Sequence, residues 1–197
     1  MSIDHLLALA AFALVTSITP GPNNLMLMAS GANFGFRLTV PHMLGVALGF
    51  VFMLVIVGMG IAGIFTAYPR AYDVLTVLSV IYLVYLAWKI ARAGEPAKAG
   101  ATVRPMTFLQ AALFQWVNPK AWAMALSAVT VYAPSQDLST IVMVGVIFGA
   151  INLPAVSSWT VLGQQMRRFL TNPVRLRTFN IVMALLLIAT LYPLVAG

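Results

Sequence analysis

Charge is what this chain has least of. Only 8% of its 197 residues are charged and just 4 are acidic, whereas 61% are hydrophobic and the mean hydropathy is +0.96. A soluble domain of this size is about a quarter charged. There are too few polar residues here to cover a water-facing surface, so most of the outside must face lipid. Cysteine is absent, which excludes a disulfide framework, thiolate metal sites and thiol redox chemistry. Histidine occurs only at His5 and His42. Hard cations need several oxygen ligands and transition metals favour His or Cys, and the predicted membrane interior offers neither in number. An intramembrane enzyme would need a nucleophile with its base, or a metal, and no such set is suggested. The start, "MSIDHLL", carries Asp4 and no basic residue; a cleaved signal peptide begins with Lys or Arg, so the first apolar run is expected to be a retained helix. The net charge of +7 would suggest nucleic acid in a soluble protein, but in a membrane protein it reports orientation. No nucleic-acid partner is expected.

What the chain does have is long apolar runs. A helix needs about 20 apolar residues to cross about 30 Å of hydrocarbon. Six stretches qualify: 5–31, 40–65, 71–91, 107–132, 139–163 and 177–196. Barrel strands would be shorter and would alternate in polarity. The one long polar connection, "RAGEPAKAGATVRP" at 92–105, reads as a loop. Arg37, Lys89, Arg92, Lys98, Arg104, Arg167, Arg168, Arg175 and Arg177 fall on the odd-numbered connections, and only Arg70 falls on an even one. Cytoplasmic loops are the ones enriched in Lys and Arg, which places 92–105 in the cytoplasm and both termini outside.

Three spans on each side of that loop must cross in opposite senses. The expected fold is therefore all-α, an integral membrane domain over 1–197 with six transmembrane helices as two inverted three-helix repeats, 1–91 and 106–197. Faint internal similarity falls in register: "GVALGF" at 45–50 with "GVIFGA" at 145–150, and "TPGPNN" at 19–24 with "WVNPKAW" at 116–122. Matched broken helices in inverted repeats are a mark of secondary transporters.

Pro20 and Pro22 remove N–H donors, and their rings clash with carbonyls one turn earlier. In hydrocarbon each freed carbonyl needs another partner or costs several kcal/mol. Such a break survives only where it packs in protein or lines a wet cavity. Pro20 lies about 22 Å along its span and Pro119 about 18 Å along its own, at about 1.5 Å per residue. Entered from opposite sides, both fall at middle depth. Helix N-termini present N–H groups and unwound carbonyls present the reverse, so a zwitterion matches the pair of ends.

The candidate substrate-binding residues are accordingly Pro20, Gly21, Pro22, Asn23, Asn24, Gln115, Asn118, Pro119, Lys120 and Asn152. For the prolines the bland alternative is a packing kink. Lys120 is the sole charge deep within a span, a candidate for a substrate carboxylate, or else a residue that snorkels or lies near the interface. Gln115 and Asn118, three apart, are expected to share a helical face. Asn152 with Pro154 resembles a third, milder break. Gln110 and Asn180 read as helix-to-helix amides. His42 is capable of relaying protons but is expected to be interfacial. Asp4 and Asp73 are also read as interfacial, with a coupling role for Asp73 as the lesser alternative. The Gly45/Gly49 and Gly145/Gly149 pairs are small-residue faces for close contact inside the fold, with a homodimer seam the less favoured reading. No cofactor and no metal are expected.

With these motifs in hand, the chain resembles the LysE/RhtB family of amino-acid exporters. "TPGPNN" at 19–24 is similar to that family's first-helix signature, and "GFR" at 35–37 stands where the family has a basic turn. "YLVYLAWKIA" at 82–91, "FLQAALFQWVNPKAW" at 108–122 and "RTFNIVMALLLI" at 177–188 resemble its third, fourth and last helices. Within the family the resemblance is to the branch that exports cysteine and O-acetylserine. It implies export of small amino acids or their derivatives across the bacterial inner membrane, driven by the proton gradient, with the motif carried by Pro20, Gly21, Pro22 and Asn23 and its counterpart by Asn118 and Pro119. No buried carboxylate stands out to carry the proton. The expected partners are a small amino-acid substrate and the lipid bilayer. The rival kept open is a metal-ion exporter of similar topology.

Overall fold

Without water to bond to, apolar segments must satisfy their backbone groups internally, and in the computed structural model they do so as helices. The structure describes residues 2–61, 63, 67–68, 70–93, 104–135 and 137–192, and no strand occurs among them. The helices are α1 Ile3–Ile18, α2 Pro22–Phe34, α3 Phe36–Ile56 with a π turn on to Ile61, α4 Arg70–Ala91, α5 Phe108–Phe114, α6 Pro119–Tyr132, α7 Leu138–Met166 and α8 Pro173–Ala189. Residues 94–103 of the expected loop, 62 and 64–65 at the end of the second stretch and 193–196 at the end of the sixth lie outside the described residues.

Three helices are long and apolar enough to cross a membrane: Phe36–Ile61, Arg70–Ala91 and Leu138–Met166. α1 and α2 pass the same test jointly, bent by 56° at the proline break. The fourth expected span is divided into α5, a 3-10 turn over Gln115–Val117, and α6. The sixth is represented by the 17 residues of α8. In both broken segments the second helix opens on proline, Pro22 in α2 and Pro119 in α6. There the missing N–H is one that a first turn leaves unpaired anyway, and the fixed φ suits the helix.

The milder third break expected at Asn152 and Pro154 does not occur. α7 runs unbroken through Pro154. A single internal proline costs one hydrogen bond, which a helix clasped along its length can carry, and α7 is packed against α1, α2 and α3.

The breaks separate two of the three clusters that make up the core. On one side Leu9 and Ala13 of α1 meet Phe50, Met53 and Leu54 of α3, Ala125 of α6 and Phe148 of α7. On the other, Leu25 and Met26 of α2 meet Leu83 of α4, Phe114 of α5 and Met183 and Leu187 of α8. Each broken segment thus contributes one half to each of these two, and a third cluster joins Leu27 of α2, Met43 and Val46 of α3, Ala111 of α5 and Val156 of α7. Large side chains such as Leu7, Phe52 and Leu185 stay exposed on the outside, as a lipid-facing surface requires.

Lipid gives helices no hydrophobic reason to associate, so close backbone packing carries more of the association. Glycine supplies it. A methyl group on Gly163 would stand 2.0 Å from the Met28 carbonyl oxygen, and one on Gly31 2.2 Å from that of Thr160, which locks α2 on α7. Gly45 and Gly49 do the same for α3 against Phe108 and Ala112 of α5, so that pair is spent inside the fold. Gly35, at φ +83°, makes the sharp turn between α2 and α3 in a backbone region that other residues avoid.

Helix ends are closed by side chains: Thr107 and Gln110 form a capping box on α5, and Asn172 caps α8. Asp137 caps α7, accepting from the hydroxyls and N–H groups of Thr140 and Ser139, which hold its carboxyl below the usual range.

Replacing Gly163 with alanine is expected to push α2 off α7 and cost about 1–3 kcal/mol. A lowered thermal unfolding midpoint in detergent, with Gly145→Ala as a milder control whose methyl meets only side chains at 3.5 Å or more, checks this.

Candidate functional site

The site begins with carbonyls. Where α1 ends, its last turns and the unwound residues beyond leave backbone oxygens without helical donors. Four consecutive ones, Ser17 to Pro20, each receive a side-chain N–H. Asn24 Nδ2 donates to Ser17 O and Thr19 O, both at 2.8 Å. Trp159 Nε1 donates to Ile18 O at 3.1 Å. Lys120 Nζ donates to Thr19 O at 2.7 Å and to Pro20 O at 3.3 Å. These donors come from α2, α7 and α6. The Lys120 ammonium therefore sits at the negative end of the α1 dipole, a favourable place for a cation.

A second link joins the two breaks directly. Asn23 Nδ2 donates to Gln115 Oε1 at 2.8 Å and Gln115 Nε2 returns a bond to Asn23 Oδ1 at 3.3 Å. Gln115 is fully buried and also donates to Ala111 O at 2.8 Å. The helical face expected to carry both Gln115 and Asn118 is not formed. Gln115 lies in the 3-10 turn, while Asn118 is extended and caps α6 by accepting from Lys120 N at 3.2 Å. Proline at 119 bars its predecessor from the helical region, which turns Asn118 out of the helix. At this second break Trp122 Nε1 donates to Trp116 O at 2.9 Å.

Between the breaks lies a small recess lined by Gly21, Asn23, Asn24, Asn118, Lys120 and Asn152, with Thr16, Ser17 and Phe50 among its other walls. Asn152 reaches it from α7, donating to Ser17 Oγ at 3.0 Å, and its own Oδ1 is buried without a donor. Gly21 is extended at φ −177°, so its glycine is a matter of space: an added methyl would lie 2.7 Å from Lys120 Cδ. α2 has no side-chain cap at this end. The N-terminus of α2, the Lys120 ammonium and the Asn152 oxygen thus border one small polar space within an apolar fold. Among the expected site residues, Gln115 stands behind Asn23, Pro22 and Pro119 start their helices, and Pro20 faces instead an apolar crevice beside α8.

Two residues of this region were not anticipated, Ser17 and Trp159. Trp159 had a signal: its indole N–H needs a partner inside an apolar span, and it follows Ser157 and Ser158. His42, at the start of α3, is enclosed by protein at 1% exposure, and neither ring nitrogen has a partner. The turn at Gly35 folds the start of α3 back against α2, so a position near the end of its span is still enclosed. Asn180 is a structural amide, paired reciprocally with Asn33 at 2.7 and 3.1 Å. Gln110 is the capping-box residue of α5 and exposed; Asp4 and Asp73 are exposed as well. Among the described residues, no three His, Asp or Glu side chains come together as metal ligands would.

Comparison with known proteins bears on what this space is for. Residues 14–191 match the family model for LysE type translocators. A cysteine/O-acetylserine efflux protein of Escherichia coli is 33% identical over 192 residues, covering 95% of this chain and 96% of that protein. The protein of the same name from Shigella sonnei is 32% identical over the same lengths. No solved structure matches the chain.

The reciprocal amide bond predicts coupling between the breaks. A double-mutant cycle of Asn23→Ala and Gln115→Ala, read by thermal unfolding in detergent, is expected to give an interaction energy of about 1 kcal/mol, within the range for hydrogen bonds between membrane helices. Strict additivity would mean that the two breaks are not energetically joined.

Proposed function

The chain belongs to the family of LysE type translocators, and from that premise we propose that it exports small polar amino acids or their derivatives, of the cysteine and O-acetylserine kind, from the bacterial cytoplasm. It is a multi-pass membrane protein of the inner membrane and a transporter, not an enzyme. In this reading it crosses six times as two inverted three-helix repeats, with α1–α2 and α5–α6 as the broken first and fourth spans. Both termini lie outside, as the bias of nine basic residues against one across the connections requires. The packing supports the repeat. α3 lies against α7 and α4 against α8, while the pairing of α1–α2 with α7 is mirrored by that of α5 with α3.

The observation that carries the reading is the recess itself, bordered by both breaks and joined across them by the Asn23–Gln115 pair and by Lys120 on the Thr19 and Pro20 carbonyls. Lys120 holds an alkylammonium where a substrate ammonium would be accepted. The substrate carboxylate takes the uncapped N-terminus of α2 and draws Lys120 toward itself. The substrate ammonium then takes the released carbonyls and the unpartnered oxygen of Asn152. Substrate and lysine exchange partners, so no charge is left bare at either stage. The proton gradient drives the cycle by alternating access around the recess, and no metal or cofactor takes part.

Uptake of O-acetylserine into inverted vesicles tests this. Asn118→Ala and Lys120→Gln are each expected to lower the rate about tenfold or more at equal expression, the loss of a hydrogen bond to a charged group being about 1.5–3 kcal/mol. Gly21→Ala, which displaces Lys120, is expected to raise the apparent KM. Wild-type rates in Asn23→Ala, Asn118→Ala and Lys120→Gln alike would sink the reading.

A further inference from the structure

A second cavity lies away from the recess. It opens between α2, α3, α4 and the segment leading into α5, and its polar lining is Ser30, Asn33, His42, Lys89 and Arg104. Along α2 its lining runs from Met26 to Phe34, whereas that of the recess ends at Asn24. Nothing in the transport reading uses it.

Three features set it apart. His42 is 1% exposed and both its ring nitrogens lack partners. A buried imidazole in that condition carries the full cost of an unmade donor and an unmade acceptor. Lys89 and Arg104 line the same cavity, and among the described residues no acidic side chain does. Among the described residues Lys89 faces the ring of Tyr85, 5.8 Å away. The remaining walls, including Met26, Leu86, Ile90 and Met106, are apolar. Asn33 is committed to Asn180, and Ser30 to Thr39 at 2.9 Å. Two cations facing apolar walls match an anion that carries carbon, and the open imidazole matches one with a further polar group. Inorganic phosphate would satisfy the cations but not the walls.

We propose that this cavity is a second binding site, separate from the recess, that takes small organic carboxylates, amino acids among them, on Lys89 and Arg104, with His42 meeting the ligand's other polar group. The assignment rests on the transport reading in one respect: the basic bias puts this end of α2, α3 and α4 in the cytoplasm, so the site is where a solute bound for export first meets the protein.

The test uses the scarcity of histidine. In a His5→Asn variant in lipid nanodiscs, His42 gives the single imidazole signal, since the chain has only 2 histidines. L-serine is expected to shift that signal saturably, and inorganic phosphate is not. Lys89→Gln with Arg104→Gln is expected to weaken the apparent affinity about tenfold or more, as the loss of charge-assisted hydrogen bonds does. Asn118→Ala, in the recess, is expected to leave it unchanged. An unshifted His42 signal, a shift indifferent to the two glutamine replacements, or an equal response to phosphate would each overturn the proposal. So would loss of the response in Asn118→Ala, which would trace the signal to the recess. The ligand-free His42 signal reports whether the double variant is folded; if that signal moves, Arg104→Gln alone, at an exposed side chain, replaces it. Export that is indifferent to Asn23 and Asn118 would sink the transport reading while leaving this titration as it stands, so the two failures are distinguishable.

Discussion

The unpaired carbonyls at the end of α1 are the constraint around which the molecule is arranged. A bilayer core offers them no water, and each unmet acceptor in a run of four would cost several kcal/mol. The chain meets the demand with three side chains, Asn24, Trp159 and Lys120, drawn from α2, α7 and α6. The break is thereby more than a kink. It is the place where α1 is tied to three other helices, and the ties are hydrogen bonds rather than apolar contacts. The same demand explains why a lysine is tolerated here. Its ammonium is expensive in hydrocarbon but lies on two carbonyls at a helix C-terminus, where the dipole favours positive charge.

The two breaks separate two packed clusters, and each broken segment gives one half to each. α3 and α7 run past the breaks as continuous rods, held close to their neighbours by glycines whose added methyl groups would strike backbone. Long rods with interrupted partners place deformable backbone beside the recess. A change of state there exchanges one discrete set of donors for another, as packed interfaces allow, rather than bending the whole bundle. In the proposed cycle the substrate joins that exchange by offering a carboxylate to Lys120 and an ammonium to the carbonyls it leaves. The family membership and the full-length similarity to efflux proteins accord with a solute of this size and charge.

Much of this was readable from residues alone where one physical rule acts locally. Apolar run length dictates helices, and prolines at 20, 22 and 119 dictate where they stop. The structure ends α1 at Ile18, starts α2 at Pro22 and starts α6 at Pro119. The same local reasoning failed at Asn152–Pro154, where one proline in a well-clasped helix was too weak a disturbance to break it. It failed for Gln115 and Asn118, because helical spacing was assumed across a residue that the following proline had already turned out of the helix. The enclosure of His42 was not legible, because depth along a span says nothing about which neighbours enclose a side chain.

The sequence by itself determined that the chain lives in lipid, that it is helical, and that it is interrupted twice at comparable positions, because solvent, helix length and proline chemistry act through neighbours in the chain. Only the tertiary structure decided which donors answer the freed carbonyls. It was tertiary packing that brought Trp159 and Lys120 to α1, paired Asn23 with Gln115, and left His42 enclosed and unpartnered. Those pairings join residues roughly 90 to 150 positions apart, and no local rule selects one distant amide or ammonium over another; the close approach of helices at their glycines does.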